Sequence, residues 1–180
     1  DVAAAGYEIN PESTGPDGGL SIGLGNTFQL GEDVRLGLIG AIRYNQDWNS
    51  VAEVRNTYSN SNSGLTPVGN LEVDIGGREI DSSAFIGANL DIGKYHRIAL
   101  TLLDLRQTQD LTRISEGVVD AVDSSFYELR WTENELIARQ LVGTHMFPDA
   151  HDLEIHWQYT DSAASRDQPN RRTYRYDLAN

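Results

Sequence analysis

The amino-acid sequence lacks cysteine, has a single lysine and contains no long apolar run. Without cysteine, a disulfide framework, a thiol nucleophile and a thiolate metal site are all excluded. Its 14 basic residues against 27 acidic ones give a formal net charge of -13, which argues against nucleic-acid binding because that needs clustered positive charge. No run reaches the ~18 apolar residues of a membrane helix, although a membrane β-strand needs only ~9–11 residues with every second one apolar.

The start of the chain carries neither an initiator methionine nor an apolar signal sequence, since it begins at Asp1. We therefore expect a processed product or a piece excised from a longer protein. The length of 180 residues is typical of one domain.

Alternation of apolar and polar residues predicts a first pair of strands. Between residues 19 and 30 the apolar residues fall at even positions, with Asn26 as the exception, and small or polar residues fall at odd positions. Side chains alternate between the two sides of a strand, so this segment has one apolar and one polar face. After the turn at residues 31–33 the pattern repeats over residues 33–46, which predicts an antiparallel hairpin.

The same period recurs along the chain and predicts an all-β fold, an antiparallel up-and-down meander of about six long strands in one domain, residues 1–180. Loops are predicted at residues 1–18 and at the polar stretches 46–70, 106–124 and 160–175. The neighbouring strands can extend into the stretch 46–70. The strands are predicted near residues 19–30, 33–46, 71–92, 95–106, 125–147 and 151–162.

A change of parity interrupts the third predicted strand. Leu71, Val73 and Ile75 lie at odd positions, whereas the apolar residues from Ala84 onward lie at even ones. The pair Gly76–Gly77 between them predicts a bulge that resets the register.

Connection lengths are sorted along the chain. The short connections at residues 31–33, 93–94 and 148–150 alternate with the long ones, so in a meander all short turns lie at one end. Bacterial outer-membrane barrels have this asymmetry, with short periplasmic turns and long extracellular loops. Aromatic residues agree, because they occur beside the short turns and again about one membrane crossing away. They are Phe28, Tyr95 and Phe147 in the first group, and Tyr44, Trp157 and Tyr159 in the second.

Two C-terminal stretches resemble the barrel of TonB-dependent receptors. Residues 131–145, WTENELIARQLVGTH, are similar to that family's W-x-E-x-E-L…Q-L-x-G-x-H run. Residues 159–177, YTDSAASRDQPNRRTYRYD, resemble its pattern Y-S-x-A-x-R-D-E-P-D-R-R-x-Y-R-Y. The chain departs from that pattern at Gln168 and Asn170, where an acid is common, so two charges are missing from the turn. Upstream, residues 19–105 match only in their rhythm of strands and turns.

The resemblance implies a section of a 22-stranded transmembrane β-barrel in the outer membrane of a Gram-negative bacterium. It implies an N-terminal plug through which the parent protein contacts the TonB–ExbB–ExbD system, and surroundings of outer-membrane lipid and lipopolysaccharide. The transported nutrient would be scarce: a ferric siderophore, another metal chelate or an oligosaccharide. Six strands cannot close even the smallest membrane barrel, which needs about eight, so we expect the chain to be only part of the wall.

Four arginines near the end of the chain are candidate ligand-binding residues, because guanidinium groups form bidentate bonds with anions. The alternative is that they pair with acidic neighbours such as Asp161, Asp167 or Asp177, which the recurrence of the pattern across different ligands favours. These arginines are Arg166, Arg171, Arg172 and Arg175.

Polar-face residues of the predicted strands are expected to face the barrel lumen. They are Arg35, Arg43, Asn89, Glu154, His156 and Gln158. The histidines match no metal-ligand spacing and no nucleophile lies in a recognisable elbow, so we predict no metal, no cofactor and no enzymatic activity.

Two other functions compete with the importer. One is a surface or secreted β-sandwich that binds carbohydrate or protein, with acidic loops that could hold calcium. The other is a porin-like passive channel without a plug. The position of the apolar side chains distinguishes the sandwich from the barrel. In a barrel they point outward in one band, whereas in a sandwich they pack together in a closed core. The diagnostic residues are Leu20, Leu36, Leu38, Ile86, Leu100 and Ile155.

Overall fold

The computed structural model describes residues 9, 13–61 and 64–177, and these form a single antiparallel β-sheet. The predicted all-β meander is confirmed. Pro148–Ala150 form a short 3-10 helix between the fifth and sixth strands. The strands are β1 (Gly18–Gln29), β2 (Val34–Ser61), β3 (Gly64–Ile92), β4 (His96–Val119), β5 (Val122–Phe147), β6 (Leu153–Asp167) and β7 (Arg172–Asp177).

The strand order is β1-β2-β3-β4-β5-β6, with each strand antiparallel to its neighbours. β7 pairs with β5 on the edge that β6 also uses. Within the described part of the chain β1 pairs only with β2, so the sheet is open. Among the described residues the two edges of the open sheet are β1 on one side and β6–β7 on the other.

Most of the described residues in the long loops predicted at residues 46–70 and 106–124 are paired strand instead. β2 pairs with β3 out to Ser61 opposite Gly64, and β4 pairs with β5 out to Val119 opposite Val122. The loop prediction was wrong because polar composition reports exposure of side chains, whereas backbone pairing can continue between polar strands. The predicted loop at residues 1–18 lies mostly outside the described residues, and residues 13–17 precede the first strand.

The predicted loop at residues 160–175 is also mostly strand. β6 continues to Asp167 and β7 resumes at Arg172, so both act as one long sixth strand interrupted at residues 168–171. Pro169 explains the interruption, because proline has no N–H to donate to a ladder. The amide of Gln168 donates to the Thr132 hydroxyl at 3.1 Å and ties the interruption to β5.

The bulge predicted at Gly76–Gly77 is absent from the described sheet at that position, where pairing with both neighbouring strands continues without a shift. The register shifts instead between Thr57 and Tyr58, which are opposite Gly69 and Pro67. That prediction was wrong because an apolar residue does not have to stay on one face. Val73 lies on the polar face and is only 1% exposed.

We divide the sheet into a proximal half, nearest the short turns, and a distal half beyond residues 46, 80, 108, 133 and 167. In the proximal half one face, here called the apolar face, carries the even residues of β1–β4 and the odd residues of β5 and β6. The opposite face is called the polar face throughout both halves, although it also carries Ile39 and Phe85.

The apolar face is not covered by a second sheet among the described residues. The six leucines and isoleucines that distinguish a barrel from a sandwich all lie on this face. Four of them, Leu20, Leu38, Ile86 and Ile155, are 63%, 43%, 53% and 42% exposed. They do not converge on a closed core as the sandwich alternative requires, since Val73 is the one buried hydrophobic residue of the described chain. Among those residues no helix is long and apolar enough to cross a membrane.

The distal turn between β4 and β5 holds two non-glycine residues with positive φ, Asp120 at 51° and Ala121 at 66°. Such φ values at both central residues belong to a type I′ turn, which favours glycine. We expect Ala121→Gly to stabilise the protein by about 1 kcal/mol, because it relieves left-handed strain. The shift in unfolding midpoint measures this, and Ala52→Gly within β2 serves as the control, which should be destabilising. An unchanged or lowered midpoint for Ala121→Gly would contradict the assigned turn.

Candidate functional site

The six residues predicted to face a lumen share the polar face. Arg35, Arg43 and Asn89 lie on it in β2 and β3, and Glu154, His156 and Gln158 lie on it in β6. They do not form one cluster. His156 contacts Glu154 at 2.8 Å and Thr144 at 3.3 Å, at the other edge of the sheet from Arg35.

Asp91 organises the polar face beside the short turns. Its carboxylate accepts hydrogen bonds from Arg35 at 2.8 Å, Arg97 at 2.6 Å and Asn89 at 3.1 Å. The register places these residues side by side on β2, β3 and β4. Charge-assisted bonds of this kind lock adjacent strands and leave a small excess of positive charge.

The candidate ligand-binding arginines are split between the two faces. Arg166 and Arg175 lie on the polar face, Arg172 lies on the opposite face and Arg171 stands in the interruption of the sixth strand. Arg175 contacts Asp177 at 2.7 Å and stacks 5.1 Å above the Phe126 ring. Arg171 lies 3.5 Å from Glu128. Two of the four therefore form the structural ion pairs that the sequence favoured, and Arg166 and Arg172 form none with the described residues.

Ser124 joins the end of β7 to β5. Its hydroxyl lies 2.7 Å from the Asp177 carboxylate, and Ser124 itself is only 2% exposed. Hydrogen bonds from Arg175 and, to a smaller extent, from Ser124 lower the pKa of Asp177 below its ordinary value. The carboxylate is thereby kept charged, and the resumed strand is anchored beside β5.

A second carboxylate, Glu128 on β5, has three arginines around it, which come from β4, β5 and the interruption of the sixth strand. Arg113 lies 3.2 Å away on β4, Arg130 lies 3.8 Å away on β5 and Arg171 lies 3.5 Å away in the sixth-strand interruption. The Glu128 side chain is 14% exposed. We call these four residues the Glu128 cluster, and it is the densest assembly of charge on the polar face.

The sequence prediction did not identify Arg113, Glu128 or Arg130 as members of a site. Arg113 lay within the stretch predicted as a loop at residues 106–124, and Glu128 lay in the strand predicted at residues 125–147. Only the register, which places Arg113 directly opposite Glu128, brings them together. Extending the period-two pattern through residues 106–124 is the signal that would have placed Arg113 on the polar face.

The apolar face carries a histidine pair near the short turns. His96 and His145 are opposite each other in register, and their Nδ1 atoms lie 3.2 Å apart. The indole N–H of Trp157 donates to Nε2 of His145 at 3.0 Å, and the Trp157 ring lies over Gly143, where a Cβ would come within 2.1 Å of it. The described residues contain no group of three or more potential metal ligands.

No protein-family model matches the chain, and no curated protein matches it significantly. The resemblance of residues 131–145 and 159–177 to TonB-dependent receptors therefore stays a prediction.

Proposed function

We propose that the chain is a section of the wall of an outer-membrane β-barrel, and that the parent barrel is a TonB-dependent importer of a scarce nutrient. The observation that carries the membrane part is the shape of the apolar band on a one-layer sheet. Large hydrophobic side chains on this face are 37–77% exposed on the two outer strands, β1 and β6, and exposed or half-buried on β2–β5, and the hydrocarbon of a lipid bilayer would cover them.

On β1 and β2 the height of the band fits a bilayer. On β1 it extends from Leu20 to Phe28 and on β2 from Leu36 to Tyr44, which is ~9 residues or ~30 Å along each strand. Strands of outer-membrane barrels tilt by ~35–45°, so such a segment covers roughly the ~25 Å apolar height of these barrels. Tyr44, Trp157 and Tyr159 lie near the distal limit of the band, where aromatic rings meet a membrane interface.

The distal limit of the band is oblique to the strand register. The limit is marked on each strand by the first polar residue of the apolar face, and these residues do not lie opposite one another. From each strand to the next between β2 and β5, the marker lies two residues closer to the short turns than the position opposite its neighbour. From β5 to β6 the two markers lie opposite each other. The markers are Gln46, Ser82, Asp104, Arg139 and Asp161.

This stagger is what tilted strands in a flat membrane require. A mean shift of ~1.5 residues per strand, with a rise of ~3.3 Å per residue and a strand spacing of ~4.8 Å, corresponds to a tilt of ~45°. Outer-membrane barrels tilt their strands by about that angle. A soluble sheet has no membrane plane to impose such a slope.

Closure of the barrel requires additional strands. An unpaired edge in lipid costs several kcal/mol for each exposed backbone group, so β1 and the β6–β7 edge need partners. A wall of about 22 strands is the form that the family resemblance implies. The importer assignment, with its plug and its TonB–ExbB–ExbD partners, rests on residues 131–145 and 159–177.

The test is the location of the intact gene product that contains this chain. Fractionation of a Gram-negative host should recover it in the outer membrane, and heating before electrophoresis should shift its mobility, as folded barrels resist detergent when unheated. Recovery of intact, folded protein in the soluble periplasm would rule out the barrel. If the protein is in the membrane but its nutrient uptake persists when TonB is removed, the passive channel replaces the importer.

A further inference from the structure

We infer that the Glu128 cluster is a binding site for an oxyanion, a carboxylate or phosphate group carried by a small molecule. As an anion site it rests on the geometry of β4, β5 and the sixth-strand interruption. As the ligand site of an importer it also rests on the proposed function.

The first reason is an excess of charge. Arg113, Arg130 and Arg171 contribute three positive charges and Glu128 contributes one negative charge, so the cluster carries two uncompensated positive charges. The chain as a whole has a formal net charge of -13, so this local excess of positive charge is opposite in sign to the rest of the protein. Like charges brought together in a half-buried place repel one another, and an anion placed among them removes that repulsion.

The second reason is an excess of hydrogen-bond donors. Each guanidinium group carries five N–H donors, whereas one carboxylate offers about four acceptor positions. The Nε atoms of Arg113 and Arg130 are buried and form no hydrogen bond with the described residues. Leaving a buried donor of a charged group unsatisfied is costly, and a second oxyanion would supply the acceptors.

The third reason is that Glu128 holds two of its three arginines loosely, although Arg113 donates a hydrogen bond to its Oε2 atom at 3.2 Å. Arg130 and Arg171 approach its Oε1 atom at 3.8 and 3.5 Å, beyond hydrogen-bond length, and that atom has no hydrogen-bond partner among the described residues. Compare Asp91, which accepts short bonds from both of its arginines. The guanidinium groups around Glu128 are therefore held in place while some of their N–H donors stay available to a second anion.

The cluster is accessible from the polar face. The side chains of Arg113 and Arg130 are 32% and 27% exposed, and that of Arg171 is 58% exposed. It lies in the distal half, beyond the apolar band, where a solute on the loop side of a barrel arrives first. Arg171 stands in the interruption of the sixth strand at residues 168–171.

Titration of the intact gene product in detergent with inorganic phosphate, and separately with citrate, tests the site by calorimetry. We expect binding that weakens with salt, and loss of about 10-fold or more in affinity for Arg113→Gln and for Arg130→Gln. The matched control is Arg106→Gln, which removes the same charge from β4 on the opposite face and should leave affinity unchanged. The tighter of the two anions identifies phosphate or carboxylate as the preferred group.

A second measurement does not depend on the variants folding. Phenylglyoxal labelling of the unaltered protein, read by mass spectrometry, should be reduced by the bound anion at Arg113, Arg130 and Arg171 but not at Arg106. Equal affinity in all variants, or equal labelling with and without anion, would overturn the site. Either outcome is independent of fractionation, because a protein found outside the membrane can still bind the anion and a barrel can lack the site.

Discussion

Leu38→Arg is expected to destabilise the folded protein in a membrane by about 2–4 kcal/mol, the cost of a cation on the lipid side of a barrel near the bilayer midplane. Leu38 lies within the apolar band on β2 and is 43% exposed, so in lipid its replacement exposes a guanidinium group to hydrocarbon. Unfolding by urea of the intact gene product, folded into lipid vesicles, measures the change in free energy.

The neighbouring residue supplies the control. Ile39 is also a large aliphatic residue, is 53% exposed and points to the polar face. Ile39→Arg should cost less than about 1 kcal/mol, because a lumen-facing cation stays in water. A sheet surrounded by water would treat both substitutions alike, since both residues are already exposed. Equal effects of the pair would therefore contradict the membrane assignment even if each variant folds.

Gly117→Ala is expected to destabilise the distal half by about 2–5 kcal/mol, the sum of backbone strain and overpacking. Gly117 has a φ of 143°, which residues with a side chain rarely adopt, and its Cβ would lie 2.1 Å from the backbone oxygen of Asn70. A backbone atom cannot rotate away as a side chain can, so β3 and β4 would have to separate locally. Hydrogen exchange of the β3 and β4 amides reports this opening.

Gly76→Ala is the matched control for Gly117→Ala. Gly76 lies in β3 of the same hairpin, and a Cβ built there meets nothing within 4 Å. Its replacement should change stability little or raise it slightly, because alanine loses less backbone entropy on folding than glycine. If Gly117→Ala leaves amide protection near Asn70 intact, the close approach of the two strands is not as assigned.

The sites within the sheet were predicted to different extents. The residues expected to face a lumen were placed on one face correctly, because the side of a strand on which a residue lies depends only on its position within that strand. The sequence predicted no face for the candidate arginines, and the interruption of the sixth strand at Pro169 puts Arg166 and Arg172 on opposite faces. The Glu128 cluster escaped prediction because its members come from three segments distant in sequence.

The sequence by itself determined the all-β class, the order and approximate position of the strands, and the apolar and polar faces of the proximal half. Each of these follows from a period-two pattern that is local to one segment. Only the tertiary structure decided the length of the hairpins, the position of the bulge beside Tyr58 and the meeting of Arg113, Arg130 and Arg171 at Glu128. Those features depend on register, and register is set by ladders between strands whose pairing no single segment encodes.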